Sequence, residues 1–296
     1  MRSSAAPSIV VPVLLATLAG CATPAPTATP GPTAGTERCV DLAATQAVGL
    51  AWSQTGSFLA VGTVGPDGSP GLRVVEADRV VVSEPLHDPD VLPSTVAITP
   101  DGRLAWLEER GAGRVLVEAR DGGLVETALP PGIDGLAWTA IGFALLQHPP
   151  EGGSRVLILD VDRPQEPTVT YETGLRVERL WISADPEHMV LTISHPDHRD
   201  APASFDVVGA STTHHLEPEA ADATGASMPS LRRWVVYRSA STSLMTAVRV
   251  ADPSRVVPLS ARPSARGMVS DRGVLAFVPV EPYGQLCLLD VAALLP

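Results

Sequence analysis

The residues best suited to metal chemistry form a short group near the middle of the chain. His195 and His198 flank Asp197, and Asp200 follows two positions later. Imidazole nitrogens and carboxylate oxygens are the ligands that zinc and harder divalent ions take from proteins. The spacing fixes no third ligand from another part of the chain, so a solvated polar loop is the alternative interpretation. The sequence leaves a divalent metal open at His195 and His198 and predicts no other cofactor.

Motifs for nucleophilic and phosphate chemistry are absent from the sequence. It contains no G-x-S-x-G element, no phosphate-binding loop of the Walker type and no G-x-G-x-x-G between a strand and a helix. No catalytic residue is therefore predicted. The formal net charge is −12, and all 21 basic residues are arginines. An acidic chain without lysine clusters disfavours nucleic acid as a partner and electrostatic attachment to anionic lipid.

The first residues have the form of a secretory signal. Arg2 precedes an apolar stretch from Ile9 to Leu18 that is too short for a membrane span. The sequence Leu-Ala-Gly-Cys that ends at Cys21 resembles the lipobox of bacterial lipoproteins. That resemblance implies a signal peptide over residues 1–20, a lipid on Cys21 and a location on the outer side of the cell membrane. An ordinary secretory signal with another cleavage site is the alternative.

Residues 21–37 are predicted to form a disordered tether that follows this lipid anchor. The stretch is rich in Pro, Thr and Ala and has no large apolar side chains before position 36. Such a composition cannot bury enough surface to fold. Extended at the polyproline II rise, about 15 residues would reach on the order of 45 Å from the membrane.

The rest of the chain, residues 38–296, contains a sixfold repeat. Each unit has two apolar residues, a Ser or Thr, a turn and an apolar strand, and the shared hydroxyl recurs at intervals of 40 to 47 residues. A further strand follows in each unit, and the first five units also have a weaker outer strand, for example Thr213 to Leu216; Gly, Pro and Asp turns separate the strands. Four-stranded repeats of this length are typical of propeller blades. The shared hydroxyls, which we interpret as turn caps, are Ser53, Thr99, Thr139, Ser183, Ser230 and Ser270.

The sixth unit lacks an outer strand of its own. The segment around Cys39 precedes Leu50 by the same 11 residues by which Val169, in an outer strand, precedes Leu180. The segment is therefore predicted to close the ring as the outer strand of the last blade. This register sets Cys39 beside Cys287 on neighbouring strands, and outside the cytoplasm such a pair is expected to be oxidised. Two unpaired thiols are the alternative.

The repeat carries a family resemblance. The segment AITPDGRLAWL from Ala97 resembles the repeats of TolB-like and WD-type propellers, and the lipoprotein context resembles that of LpqB-type lipoproteins. The Gly-His and Trp-Asp dipeptides of WD repeats are absent, which favours the TolB-like group. The resemblance implies an all-β fold, a six-bladed propeller of four-stranded blades closed by an N-terminal strand.

Such a propeller would gather its polar loops on one face. Loops between second and third strands, and those that join blades, lie at the same end of the ring, and loops commonly carry binding residues. We expect a non-catalytic binding module whose partner is an envelope protein, a peptide or a glycan. The alternative is a metal-dependent, lactonase-like hydrolase. The residues of the predicted binding face are His87, Asp88, Asp90, Glu109, His148, Glu151, His195, Asp197, His198 and Asp200.

Overall fold

The computed structural model shows a closed six-bladed β-propeller. It describes residues 35–77, 81–82, 91–111, 113–121, 123–160, 163, 166–183, 188–193, 203–218, 221–229 and 233–295. In this part of the chain the strands form six four-stranded antiparallel sheets. None of the helices described has the length and apolarity that a membrane span needs. The fold class predicted from the repeat is therefore confirmed.

The first three blades each run from an inner strand to an outer one in chain order. Blade 1 consists of β2 (Gln46–Trp52), β3 (Phe58–Val64), β4 (Pro70–Glu76) and β5 (Val81–Val82). Blade 2 consists of β6 (Val91–Ile98), β7 (Leu104–Arg110), β8 (Gly113–Arg120) and β9 (Gly123–Ala128). Blade 3 consists of β10 (Ile133–Thr139), β11 (Gly142–Gln147), β12 (Ser154–Asp160) and β13 (Thr168–Thr173).

The last three blades follow the same order except at the closure. Blade 4 consists of β14 (Val177–Ile182), β15 (Met189–Ile193), β16 (Ser204–Val208) and β17 (Thr213–Leu216). Blade 5 consists of β18 (Ala221–Ser227), β19 (Trp234–Ser239), β20 (Met245–Arg249) and β21 (Asp252–Pro258). Blade 6 consists of β22 (Ser264–Val269), β23 (Val274–Pro279), β24 (Gln285–Asp290) and β1 (Arg38–Asp41), and a 3₁₀ turn, Ala292–Leu294, follows β24.

The closure of blade 6 agrees with the sequence prediction. Strand β1 pairs with β24, and Cys39 lies directly opposite Cys287. The two sulfurs form a disulfide bond that spans 248 residues of sequence. Arg262 adds a contact at the same place, with its Nη2 bonded to Glu37 and 3.1 Å from the Cys287 sulfur. The disulfide therefore joins β1, the first described strand, to β24, the last.

The core consists of six apolar clusters, one between each pair of adjacent blades. The cluster between blades 6 and 1 joins Leu59 and Val61 to Leu286 and Leu288, all fully buried. The other five interfaces are filled in the same way, mainly with Val, Leu, Ile and Ala. Because every sheet face is covered by its neighbour, the ring buries its apolar surface only when it is closed.

The repeated hydroxyl closes the hairpin between the first two strands of a blade. The Ser53 Oγ accepts the Phe58 N–H at 3.1 Å, and the Ser270 Oγ accepts the Val274 N–H at 3.1 Å. Thr139 instead donates its hydroxyl to the Gly142 carbonyl at 2.9 Å. These bonds satisfy turn groups that the strands leave unpaired. The interpretation as turn caps is confirmed at these positions, whereas Ser230 lies outside the described residues.

Each inner strand carries a β-bulge shortly after it begins. In blades 1, 3, 4 and 6 one extra residue is inserted. In blade 2 the inner strand advances five residues from Val91 to Val96 while its partner advances two, and blade 5 repeats this between Ala221 and Ala226. Bulges re-aim side chains and are frequent beside functional sites. The six bulges all lie at the end of the propeller where the inner strands begin, and we call this end the bulge face. The opposite end, which carries the hairpins between first and second strands, is the turn face.

Candidate functional site

The bulge face carries a pocket between blades 2 and 3. Its cavity volume is about 400 Å³, and Pro130, Pro131 and glycines form part of its wall. The charged and histidine side chains that line it are Glu109, Arg114, Asp134, His148 and Arg176. The sequence predicts Glu109 and His148 on one binding face, and the structure brings these two residues into the same pocket.

The backbone around His148 is fixed by a close approach to Gly132. The His148 N–H donates to the Gly132 carbonyl at 2.8 Å. Gly132 has φ +81°, and a Cβ at this position would lie 2.3 Å from the His148 carbonyl oxygen. Only glycine meets both conditions. The turn that opens blade 3 therefore sets the height of the histidine in the pocket.

Asp134 is the bulged residue of β10 and the electrostatic centre of the pocket. Its Oδ1 accepts Arg114 Nη1 at 2.7 Å, and its Oδ2 lies 3.6 Å from His148 Nε2. Burial raises the pKa of this carboxyl, but the Arg114 hydrogen bond and the charges of Arg114, His148 and Arg176 outweigh burial, so the pKa lies below its ordinary value. Asp134 is therefore ionised at neutral pH.

Ser154, His148 and Asp134 form a chain of contacts that resembles a catalytic arrangement, but its serine hydroxyl is buried. Ser154 Oγ lies 3.1 Å from His148 Nδ1 and also accepts the Val177 N–H at 2.9 Å. Ser154 is only 2% exposed, so no substrate reaches its hydroxyl. A nucleophilic serine must contact the substrate. The hydroxyl instead links blade 3 to blade 4 and holds the imidazole in place.

The outer rim of the pocket is open to solvent. The Glu109 side chain is 65% exposed, and its Oε1 lies 3.6 Å from Arg114 Nη2. Arg176 is 52% exposed and lies 3.4 Å from Glu178. The pocket thus offers guanidinium donors and a carboxylate acceptor within one rigid frame, a combination that suits hydrogen bonding to a polar partner such as a peptide or a glycan.

The other residues of the predicted binding face fall into two groups. Glu151 lies in the loop that follows His148, where it pairs with Arg155 at 3.1 Å, and it is not part of the pocket wall. The remainder, together with the lipidation residue Cys21, lies outside the described residues: His87, Asp88, Asp90, His195, Asp197, His198 and Asp200.

Metal ligands converge at one place in the described part of the chain. Glu37, Cys39 and Cys287 place one ligand atom each within 4.8 Å of one another. Both sulfurs belong to the disulfide, so neither is a thiolate that could bind a metal ion. The two candidate metal ligands His195 and His198 lie outside the described residues, and no described contact favours the hydrolase alternative.

Sequence reasoning missed Arg114, Asp134 and Arg176. Asp134 interrupts the start of an otherwise apolar inner strand, and Arg179 and Arg266 do the same in blades 4 and 6. A charged residue shortly before the repeated apolar pair was therefore the sequence signal that could have indicated these functional positions. What could not be read was the bulge that turns these side chains towards the bulge face and the channel.

Comparison with solved structures agrees with the fold. TolB from Acinetobacter baumannii superposes with a TM-score of 0.54 at 11% identity, over 83% of this chain and 54% of TolB. The Cps50 (Swd1) propeller of Myceliophteria thermophila gives 0.55 at 11% identity, over 87% of this chain and 100% of its own. Hydrazine synthase of Kuenenia stuttgartiensis gives 0.53 at 10% identity, over 86% of this chain and 98% of its own.

These similarities establish the propeller fold and nothing finer, because folds of this kind host many functions. This chain spans about half the length of the TolB structure. No protein-family model matches the sequence, and no curated protein matches it significantly.

Proposed function

We propose that this protein is a lipoprotein anchored to the outer side of the cell membrane through Cys21, and that its propeller is a non-catalytic binding module. The binding site is the pocket between blades 2 and 3, and the partner is an envelope protein, a peptide or a glycan. The observation that carries the proposal is the Arg114–Asp134–His148 arrangement, held at one open face by bonds from three strands and two turns.

Two features support the extracytoplasmic part of the proposal. The Cys39–Cys287 disulfide is of the kind that persists in oxidising compartments. The Leu-Ala-Gly-Cys sequence before position 22 supplies a lipid attachment site by its resemblance to the lipobox. Single acylation binds membranes only marginally, so a diacylglycerol on Cys21 fits a stable anchor.

Site-specific photo-crosslinking tests the binding face. A photoreactive amino acid replaces Glu109 in the full chain, expressed in its own host, and the matched control replaces Thr55, an exposed residue of a hairpin at the turn face. We expect a discrete crosslinked product from position 109 and none from position 55. Equal products from both positions, or none from position 109, would contradict the proposal.

Membrane fractionation tests the anchor separately. The Cys21→Ser variant has no thiol to acylate, so we expect it to leave the membrane fraction while the unsubstituted chain remains there. The Cys39→Ser variant serves as the control for loss of a cysteine elsewhere. A Cys21→Ser protein that still partitions with membranes after detergent-free washing shows that the lipid assignment is wrong.

A further inference from the structure

Two arginines reach into the central channel at the same height. Arg179 in β14 and Arg266 in β22 each follow directly after the bulge of their strand. Counted from the pairs that flank each bulge, the equivalent positions of the other blades hold short residues. The residues that come directly after the bulge in these blades are Gly49, Val96, Gly135 and Ala226. At this level of the ring the long side chains are therefore both cationic.

Arg179 of blade 4 and Arg266 of blade 6 line the same channel cavity, one on each side of blade 5. The Arg179 side chain runs over Gly225, where an added Cβ would lie 3.4 Å from Arg179 Cγ. Burial lowers the pKa of Arg266, and the charge of Arg179 lowers it further, against a smaller opposite effect of Asp222. That carboxylate is engaged elsewhere, because Asp222 is ion-paired with Arg238. Among the described residues no carboxylate forms an ion pair with Arg179 or Arg266.

Arg266 also has a hydrogen-bond donor that nothing in the described chain satisfies. Its Nη1 donates to the Val48 carbonyl, but its Nε is buried without a partner. Buried donors in folded proteins are almost always paired, so a water molecule or a bound ligand is expected to supply the acceptor for this Nε. Two guanidiniums in one cavity with a free donor are suited to an oxyanion, which arginine binds in a planar, bidentate manner.

Beyond the arginines, towards the turn face, the channel wall is mainly apolar. Leu50, Trp52, Trp138, Leu180 and Met268 line it. Two carboxylates, Asp134 and Glu178, line the same cavity on the bulge-face side, and they are ion-paired with Arg114 and Arg176. Trp138 lies three residues beyond the arginine level, which is about 10 Å at the rise of a strand. The cavity volume is about 130 Å³, well below that of a drug-sized pocket, so it suits a small ligand or one side chain. A free phosphate would leave these walls uncovered, whereas a small apolar group would fill them.

We propose that the central channel binds a carboxylate that carries a small apolar group, with the anion between Arg179 and Arg266 and the apolar group against the tryptophans. This inference rests on the proposed function in one respect, that the bulge face is a binding face. The channel shares Asp134 with the pocket at Glu109, but the rest of its lining is separate. Failure to bind carboxylates therefore leaves the crosslinking result at position 109 unaffected, and the two proposals fail separately.

Calorimetric titration of the full chain in detergent micelles tests the inference. The probes are benzoate, its neutral analogue benzamide and inorganic phosphate, at constant ionic strength and with micelle blanks subtracted. Arg179→Gln removes one charge from an exposed side chain, and Arg272→Gln removes one charge from an exposed side chain at the turn face. We expect benzoate to bind, and Arg179→Gln to weaken it by about tenfold or more, the loss typical of a charge-assisted hydrogen bond.

Benzamide and phosphate are expected to bind at least about tenfold more weakly than benzoate, because each lacks one half of the match. Arg272→Gln is expected to bind benzoate like the unsubstituted chain. The inference is overturned if benzoate does not bind, or if benzamide or phosphate binds as tightly as benzoate. It is also overturned if Arg179→Gln and Arg272→Gln weaken benzoate binding equally. Circular dichroism of both variants verifies that they remain folded, so a loss reports on the site.

Discussion

The disulfide between Cys39 and Cys287 is predicted to contribute a large part of the stability of the ring. It closes a loop of 248 residues. A chain-entropy relation for a loop of this length gives about 5 kcal/mol of stabilisation, through restriction of the unfolded chain. For a domain of this size that corresponds to a fall of about 10 °C in Tm on reduction. Cys39 is exposed and Cys287 is fully buried, so Cys39→Ser is the milder substitution.

The assay is thermal unfolding by circular dichroism, with and without a thiol reductant. The unsubstituted chain is expected to lose about 10 °C on reduction, and Cys39→Ser to unfold at the reduced midpoint whether or not reductant is present. Thiol titration of the denatured, unreduced protein, with Cys21 acylated, is expected to find no free thiol. Two results would refute the reasoning: oxidised and reduced midpoints within about 2 °C of each other, or a Cys39→Ser protein that still responds to reductant.

Two further predictions concern packing and charge. In Gly62→Ala the new Cβ would lie 1.6 Å from the Pro93 carbonyl oxygen, so we expect a loss of about 3 kcal/mol or more by urea unfolding, whereas Gly174→Ala, with open space, is expected to cost under about 1 kcal/mol. The Asp206 hydrogen bond raises the pKa of His215. The contribution of this His215–Asp206 contact to the stability of the folded protein is therefore complete below the ordinary histidine pKa of about 6.5. It is lost as the pH rises through the raised pKa of His215. An NMR titration in which Asp206→Asn leaves the His215 pKa unchanged contradicts this assignment.

The repeat made the architecture predictable because propeller blades are local in sequence. Each four-stranded unit closes through short turns, so the spacing of hydroxyls and apolar runs locates the strands with little reference to the rest of the chain. The predicted outer strand Thr213 to Leu216 coincides with β17. The closing strand was also predictable, since Cys39 stands at the same offset from its inner strand as the outer strand of another blade.

The binding site was predictable only in part. The sequence predicts Glu109 and His148 on one face, because both stand near the ends of second strands in neighbouring blades: Glu109 lies near the end of β7, and His148 directly follows β11. It gave no sign that Asp134 and Arg114, 20 residues apart, meet at 2.7 Å. That contact crosses the interface between two blades and depends on the bulge in β10, which follows from the way adjacent blades pack and not from strand periodicity.

What the sequence determined by itself is therefore the set of features with a fixed spacing: six blades, four strands in each, capped hairpins and a cysteine pair in register. What only the tertiary structure decided is which side chains from different blades share a space. Arg179 and Arg266 stand 87 residues apart in the sequence and follow equivalent bulges. They face the same channel because closure of the ring brings the inner strands around one axis, and no local pattern encodes that distance.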